Sequence, residues 1–193
     1  MRLYTEQSLV VSSMLFADNK YYSLLNKSNC FGEYTEEFLF AYRWMLEQLN
    51  ARKRLTVSTD TIAPIFWYTD IHEVNKHVLH QWKRRNPKQD DMLLYADVPE
   101  DQLCLYDAHM YDDVLMNAPI GQIYNQSGLC GGPDTWDSHN DEKFERYWSA
   151  YKKPENLLAK QETWKEIFNL TKKTQKYKPR VHAITGYIDK SWL

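Results

Sequence analysis

Pro64-Ile65-Phe66-Trp67-Tyr68 is an aromatic, β-prone run that opens on a proline. A strand that begins at the proline loses no ladder donor from the interior of a sheet, so the run reads as a strand. Upstream lies the clearest helix. Thr35 supplies an N-cap, Glu36 and Glu37 suit the first turn, and Arg52, Lys53 and Arg54 suit the last. Phe38, Tyr42, Met45 and Leu49 fall at i, i+4, i+7 and i+11 and draw one continuous apolar face. A long amphipathic helix beside such a strand points to a mixed chain.

Working outward, Arg2 to Thr5 reads as a short strand, and Ser8 caps a helix over roughly 9–17. Tyr21 to Leu25 is a short extended piece. A helix from about Ile71 to Arg85 stops before Pro87. Met92–Val98 and Leu103–Tyr106 make two strands joined by the turn Pro99-Glu100-Asp101-Gln102, and Asp107 caps a helix over roughly 108–117. The stretch 118–140 holds four of the six glycines and reads as a long loop. Helices near 141–152 and 155–172 follow, the second with Leu157, Trp164 and Phe168 on one side. Val181 to Ile188 closes the chain as a strand. The expected architecture is α+β: one compact domain over 1–193, with a small, mostly antiparallel sheet and several flanking helices.

With 193 residues, 43% apolar and 26% charged, the chain can build a core, which excludes wholesale disorder. A net charge of −2 excludes a global pull toward nucleic acid or membrane. Charge is nonetheless sorted along the sequence. Asp90 to Asp113 carries eight acidic residues and no Lys or Arg, whereas 152–180 carries nine Lys/Arg against three Glu. Solvated, mutually complementary faces explain this most simply. The basic segment, with Trp164 and Tyr177 for stacking, is the stretch best suited to nucleic acid. Cys30, Cys104 and Cys130 are too few and scattered for a disulfide framework or zinc site. No apolar run approaches the ~18 residues of a membrane span. Met1 to Gln7 has no secretory apolar stretch. The expectation is a cytoplasmic protein with no membrane partner.

Chemistry has little local support. His72-Glu73 followed by His77 is one residue too long for the zincin motif. Glu73, His77 and His80 share a helical face, but half-exposed histidines explain that more simply than a ligand set, and no metal is expected. No nucleophile elbow, P-loop or dinucleotide glycine motif occurs. Two polar clusters remain. Tyr4-Thr5-Glu6-Gln7-Ser8 stands at a strand-to-helix junction, where a helix N-terminus meets an anion or ribose. Asp107, His109, Tyr111, Asp112 and Asp113 crowd acid, imidazole and phenol into two turns, a setting for acid–base work. Capping and surface polarity account for both clusters more simply.

Taken in order, several pieces resemble an uncharacterised bacterial and phage family, domain of unknown function 3841, nearly end to end. They are Tyr4-Thr5-x-Gln7-Ser8, Phe38-x-x-Ala41-Tyr42-x-Trp44-Met45, Pro64 to Tyr68, Val98-Pro99-Glu100-Asp101 leading to Asp107, Glu162 to Phe168, and Val181-His182-Ala183. The chain departs from the family at His109 and Tyr111, where a second Asp and a Trp are usual, at an arginine expected soon after Pro87, and at His182, where Gln is usual. The layout is similar to compact NAD-using ADP-ribosyltransferases. That resemblance implies NAD as co-substrate, with Tyr4 and Thr5 on the nicotinamide ribose, Thr5 among the catalytic residues, Gln7 binding the cofactor, and Trp67 or Tyr68 stacked on nicotinamide. Asp107 or a nearby acid would stabilise an oxocarbenium-like transition state, with His109 beside it. The competing expectation is a non-catalytic phage or mobile-element factor that binds a macromolecular target. That target is a host or defence protein, or nucleic acid through 152–180. Seven Trp and fourteen Tyr supply interface anchors.

Overall fold

The computed structural model describes residues 1–25, 35–76, 91–115, 117, 120, 157–171 and 179–193. In chain order they carry β1 (Arg2–Ser8), α1 (Leu9–Asp18), β2 (Lys20–Tyr21), β3 (Ser23–Leu24), α2 (Thr35–Lys53), β4 (Ile62–Ala63), β5 (Ile65–Tyr68) and a helical stretch, α3, over 71–76. There follow β6 (Asp91–Asp97), a 3-10 turn (Glu100–Gln102), β7 (Cys104–Asp107) and α4 (Ala108–Leu115). Next come α5 (Leu157–Trp164) with a 3-10 extension (Lys165–Phe168), β8 (Val181–Thr185), β9 (Ile188–Asp189) and a closing 3-10 turn (Lys190–Trp192). The fold is α+β. Its elements group into two compact units, Met1–Tyr106 with Arg180–Leu193, and Asp107–Pro179.

The main sheet has five strands in the order β6-β1-β5-β8-β7. β1 runs antiparallel to both β6 and β5, and β5 antiparallel to β8. Two small ribbons, β2–β9 and β3–β4, stand apart from it. β1 reaches Ser8, three residues past the expected end, because β6 pairs with it without interruption from Arg2↔Asp97 to Ser8↔Asp91.

Alternation along the strands separates two faces. Leu3, Ile65, Trp67, Ala96 and Ala183 point one way and pack with Val11 and Leu15 of α1 and with Ile188 and Trp192. Trp67 is fully buried there, and its indole N–H donates to Thr185 Oγ1 at 2.9 Å. Thr185 Oγ1 donates in turn to the Tyr187 carbonyl at 2.8 Å, so no polar atom of the Trp67 ring is stranded in the core. α1 begins as expected, with Ser8 Oγ accepting from Val10 N at 3.3 Å. It ends at Asn19, whose φ of 60° is one that asparagine tolerates.

The other face carries Phe66, whose ring lies 5.3 Å from Tyr42 of α2. α2 buries Ala41, Trp44, Met45, Leu46 and Leu49, which includes the inner part of the expected stripe, while Phe38 and Tyr42 stay half-buried. Its C-terminal end is tied down twice. Lys53 Nζ donates to the Glu100 carbonyl at 2.7 Å, and the Asn50 side chain both donates to the Val57 carbonyl and accepts from the Val57 amide. The side chains of Thr35, Glu36 and Glu37 lie outside the described residues.

Two expected elements need correction. The terminal strand breaks at Gly186, where a Cβ would stand 2.5 Å from Val57 Cγ2, and it resumes at Ile188 in a different ribbon. The helix expected to run to 172 tightens to 3-10 geometry at Lys165 and ends at Asn169. The loop expected over 118–140, apart from Ile120, and the helix near 141–152 fall outside the described residues.

Because Trp67 is, with Trp164, one of the two largest fully buried side chains among the described residues, Trp67→Ala should lower the unfolding free energy by about 3–5 kcal/mol in urea denaturation. A loss below about 1 kcal/mol would contradict its place in the core.

Candidate functional site

Tyr4 and Thr5 are neighbours on β1, and neighbours on a strand point to opposite faces. Thr5 is buried on the core side, where its hydroxyl accepts from Gln7 Nε2 at 3.0 Å. Tyr4 and Thr5 therefore stand on opposite faces of the sheet. Thr5, Gln7 and Trp67 belong to the α1 face, whereas Tyr4 shares the opposite face with Tyr68, its direct cross-strand partner. The Trp67 ring is enclosed and its N–H is committed to Thr185. Tyr68 is half-buried.

In the second unit, Asp107 is 8% exposed and its Oδ1 accepts from the His109 amide at 3.0 Å, which makes it the N-cap of α4. His109 is half-buried, Tyr111 and Asp113 are buried, and Asp112 is exposed. The acidic cluster is thus spread around the helix rather than gathered on one side of it.

On the Tyr68 face the structure assembles a different group. Tyr68 is opposite His182 of β8, with ring centroids 4.8 Å apart at 66°, and Tyr106 of β7 meets the same imidazole edge-on at 6.0 Å. α3 supplies Glu73. Asp70 Oδ1 accepts from the His72 amide at 2.8 Å and so starts this helix, while Thr69 Oγ1 donates to the Val181 carbonyl at 2.5 Å and pins the start to β8. Glu73 Oε1 then accepts from His182 Nε2 at 2.8 Å and from Arg180 Nε. A carboxylate has no proton to give, so Nε2 carries the hydrogen. The Glu73 and His182 side chains are 15% and 12% exposed, and Arg180 is 31% exposed.

Burial pushes the Tyr68 phenol above its ordinary value; Arg180 pulls it down, and Glu73 and Glu6 push it up. The charges of both carboxylates and the guanidinium therefore reach the Tyr68 hydroxyl. The group combines a carboxylate ion-paired to a guanidinium, an imidazole and an aromatic ring. Burial raises the Cys104 thiol, although Lys53 and Arg52 pull it down, and this disfavours a nucleophilic thiolate there.

In the sequence Glu73 stands among histidines, His182 lies in the terminal strand within a piece of the family resemblance from which it departs, and Arg180 closes a basic segment. Glu73 and His182 lie 109 residues apart, and no local spacing links them. His77, His80, Tyr177 and the parts of the basic segment over 152–156 and 172–178 fall outside the described residues. Among the described residues, no set of three or more His, Cys, Asp or Glu could hold a metal ion, and no helix is long and apolar enough to cross a membrane. Comparison with protein-family models, curated proteins and solved structures gave no match.

Asp107→Ala should cost about 1 kcal/mol of stability through the lost cap, and Asp107→Asn much less. Equal losses in the two variants would contradict the capping role. Tyr68 also leaves an alkaline signature. Its folded value lies above the unfolded one, so its contribution is intact below about pH 10 and is lost as pH rises through the folded value. A spectrophotometric titration should show late phenols, Tyr187 among them, and Tyr68→Phe should remove one. Glu73→Gln should move Tyr68 downward. A Tyr68 that titrates with the ordinary tyrosines would contradict its setting.

Proposed function

We propose that the protein is an NAD-using ADP-ribosyl-transferring enzyme whose site is the Tyr68–Glu73–Arg180–His182 group. The single observation that carries this reading is the Glu73 carboxylate, mostly buried and hydrogen-bonded by both Arg180 and His182 on the face that Tyr68 shares. Loss of nicotinamide from NAD leaves positive charge at the anomeric carbon, and a fixed anion nearby is what lowers that barrier. Tyr68 offers the nicotinamide ring a stacking surface. His182 and Arg180 hold Glu73 in place, and the Nε2 proton fixes the imidazole orientation. Glu73 takes the role that the resemblance gave to Asp107 or a nearby acid. The family resemblance and its ADP-ribosyltransferase-like layout supply the substrate class, and the scattered cysteines support a cytoplasmic setting.

Thermal unfolding with and without NAD, with nicotinamide release assayed in the same samples, tests the proposal. NAD at 100 times its dissociation constant should add about 2.7 kcal/mol of stability. Glu73→Gln should cut release by about 100-fold or more while keeping the thermal shift, and Tyr68→Ala should lose the shift. Neither shift nor release in a folded sample would overturn the reading.

A second reading, a non-catalytic protein that binds a partner protein, draws on α1. Its outer face exposes Val10 (62%) and Phe16 (73%), together with Leu9 and Met14. It predicts the opposite pattern, in which Glu73→Gln and Tyr68→Ala are silent in partner capture and Val10→Asp with Phe16→Asp abolishes it.

A further inference from the structure

Tyr95, Tyr4, Tyr68 and His182 are successive cross-strand partners on β6, β1, β5 and β8. Direct partners share a face, so one ring stands on each of four adjacent strands, whose backbones lie about 4.8 Å apart; of these rings, Tyr68 and His182 are in edge-on contact. Tyr106 on the fifth strand carries the row past His182. Exposure falls along it, from 60% at Tyr95 through half-buried Tyr4 and Tyr68 to 2% at Tyr106. The row thus begins in solvent at the sheet edge, and Glu73, paired with Arg180, meets it at His182. Above its open end stands Arg2, with its guanidinium carbon 5.8 Å from the Tyr95 ring centre.

We propose that this row is a stacking track for single-stranded nucleic acid, with unpaired bases laid on Tyr95 and Tyr4 and the next one led toward Tyr68. Exposed rings on adjacent strands of a sheet accept the π-face of any base, whereas a duplex keeps its bases inside its own stack. Arg2 and Arg180 flank the row as phosphate partners, but each already holds a carboxylate, Asp97 and Glu73 respectively, and Glu6 shares the face. Stacking therefore carries the affinity and phosphate contacts add little. This separates the track from binding through the basic 152–180 segment. A role for the strand as acceptor of ADP-ribose would rest on the NAD reading, whereas the binding itself does not.

The test is fluorescence anisotropy of a labelled twelve-nucleotide oligothymidylate and of a duplex of the same length, titrated with full-length protein across a salt series and without NAD. The single strand should bind at least about ten times more tightly than the duplex. With at most two phosphates neutralised, log K against log salt should slope no more steeply than about −1.4. Tyr95→Ala should weaken binding by about 5- to 150-fold, and Tyr95→Trp should retain it. Because Tyr95 is largely exposed, both variants should fold, which circular dichroism checks. Equal affinity for the duplex, an unchanged Kd in Tyr95→Ala, a slope near −4, or no binding at all would each overturn the inference. With NAD absent from the assay, failed nicotinamide release leaves this result standing, and the reverse also holds.

Discussion

The hydrogen bond from the Trp67 indole to Thr185 Oγ1 sits at the centre of the first unit. It joins β5 to β8 from within the core, next to the register Trp67↔Ala183 and Ile65↔Thr185. A one-residue slip would bring Trp67 out of the core and put Tyr68 into it, at the cost of a large apolar burial and an unpaired buried hydroxyl. That cost holds the register. With the register held, Tyr68 and His182 must face away from the core as partners, whatever lies above them.

The candidate site follows from this alternation. His182 stands between Val181, whose carbonyl anchors Thr69, and Ala183, which is fully buried. Tyr68 adjoins Trp67 in the same way. Groups that alternate with core residues inherit the rigidity of the core, and this is how a binding constellation keeps its geometry without a dedicated scaffold. Glu73 is brought in by a helix whose start is fastened to β8, so both halves of the Glu73–His182 contact are referenced to one strand. The opposite face is closed by α1 and belongs to stability. Thr5 and Gln7, polar as they are, bond to each other there.

Where the physics is local, the sequence was legible. The Ser8 cap, the helix from Thr35, the aromatic strand after Pro64 and the Asp107 cap each depend on a few adjacent residues, and each appears where the pattern put it. Grouping Tyr4 with Thr5 ignored an alternation already visible in the sequence, and period-two logic alone separates them. Other features were out of reach. Burial of Trp67 rather than Tyr68 depends on which face α1 covers. The Glu73–His182 contact closes a span of 109 residues that no motif marks. The break at Gly186 depends on Val57 arriving from a distant loop.

The most direct test of the Glu73-centred site is an NMR titration of protein labelled with 15N in histidine and 13C in tyrosine rings. NAD, or nicotinamide if turnover intervenes, should shift the His182 Nε2 and Tyr68 ring signals together along one saturable curve, with the His109 signals unmoved. Saturation that moves His109 and leaves Tyr68 and His182 where they were would contradict the account, as would no response at millimolar ligand.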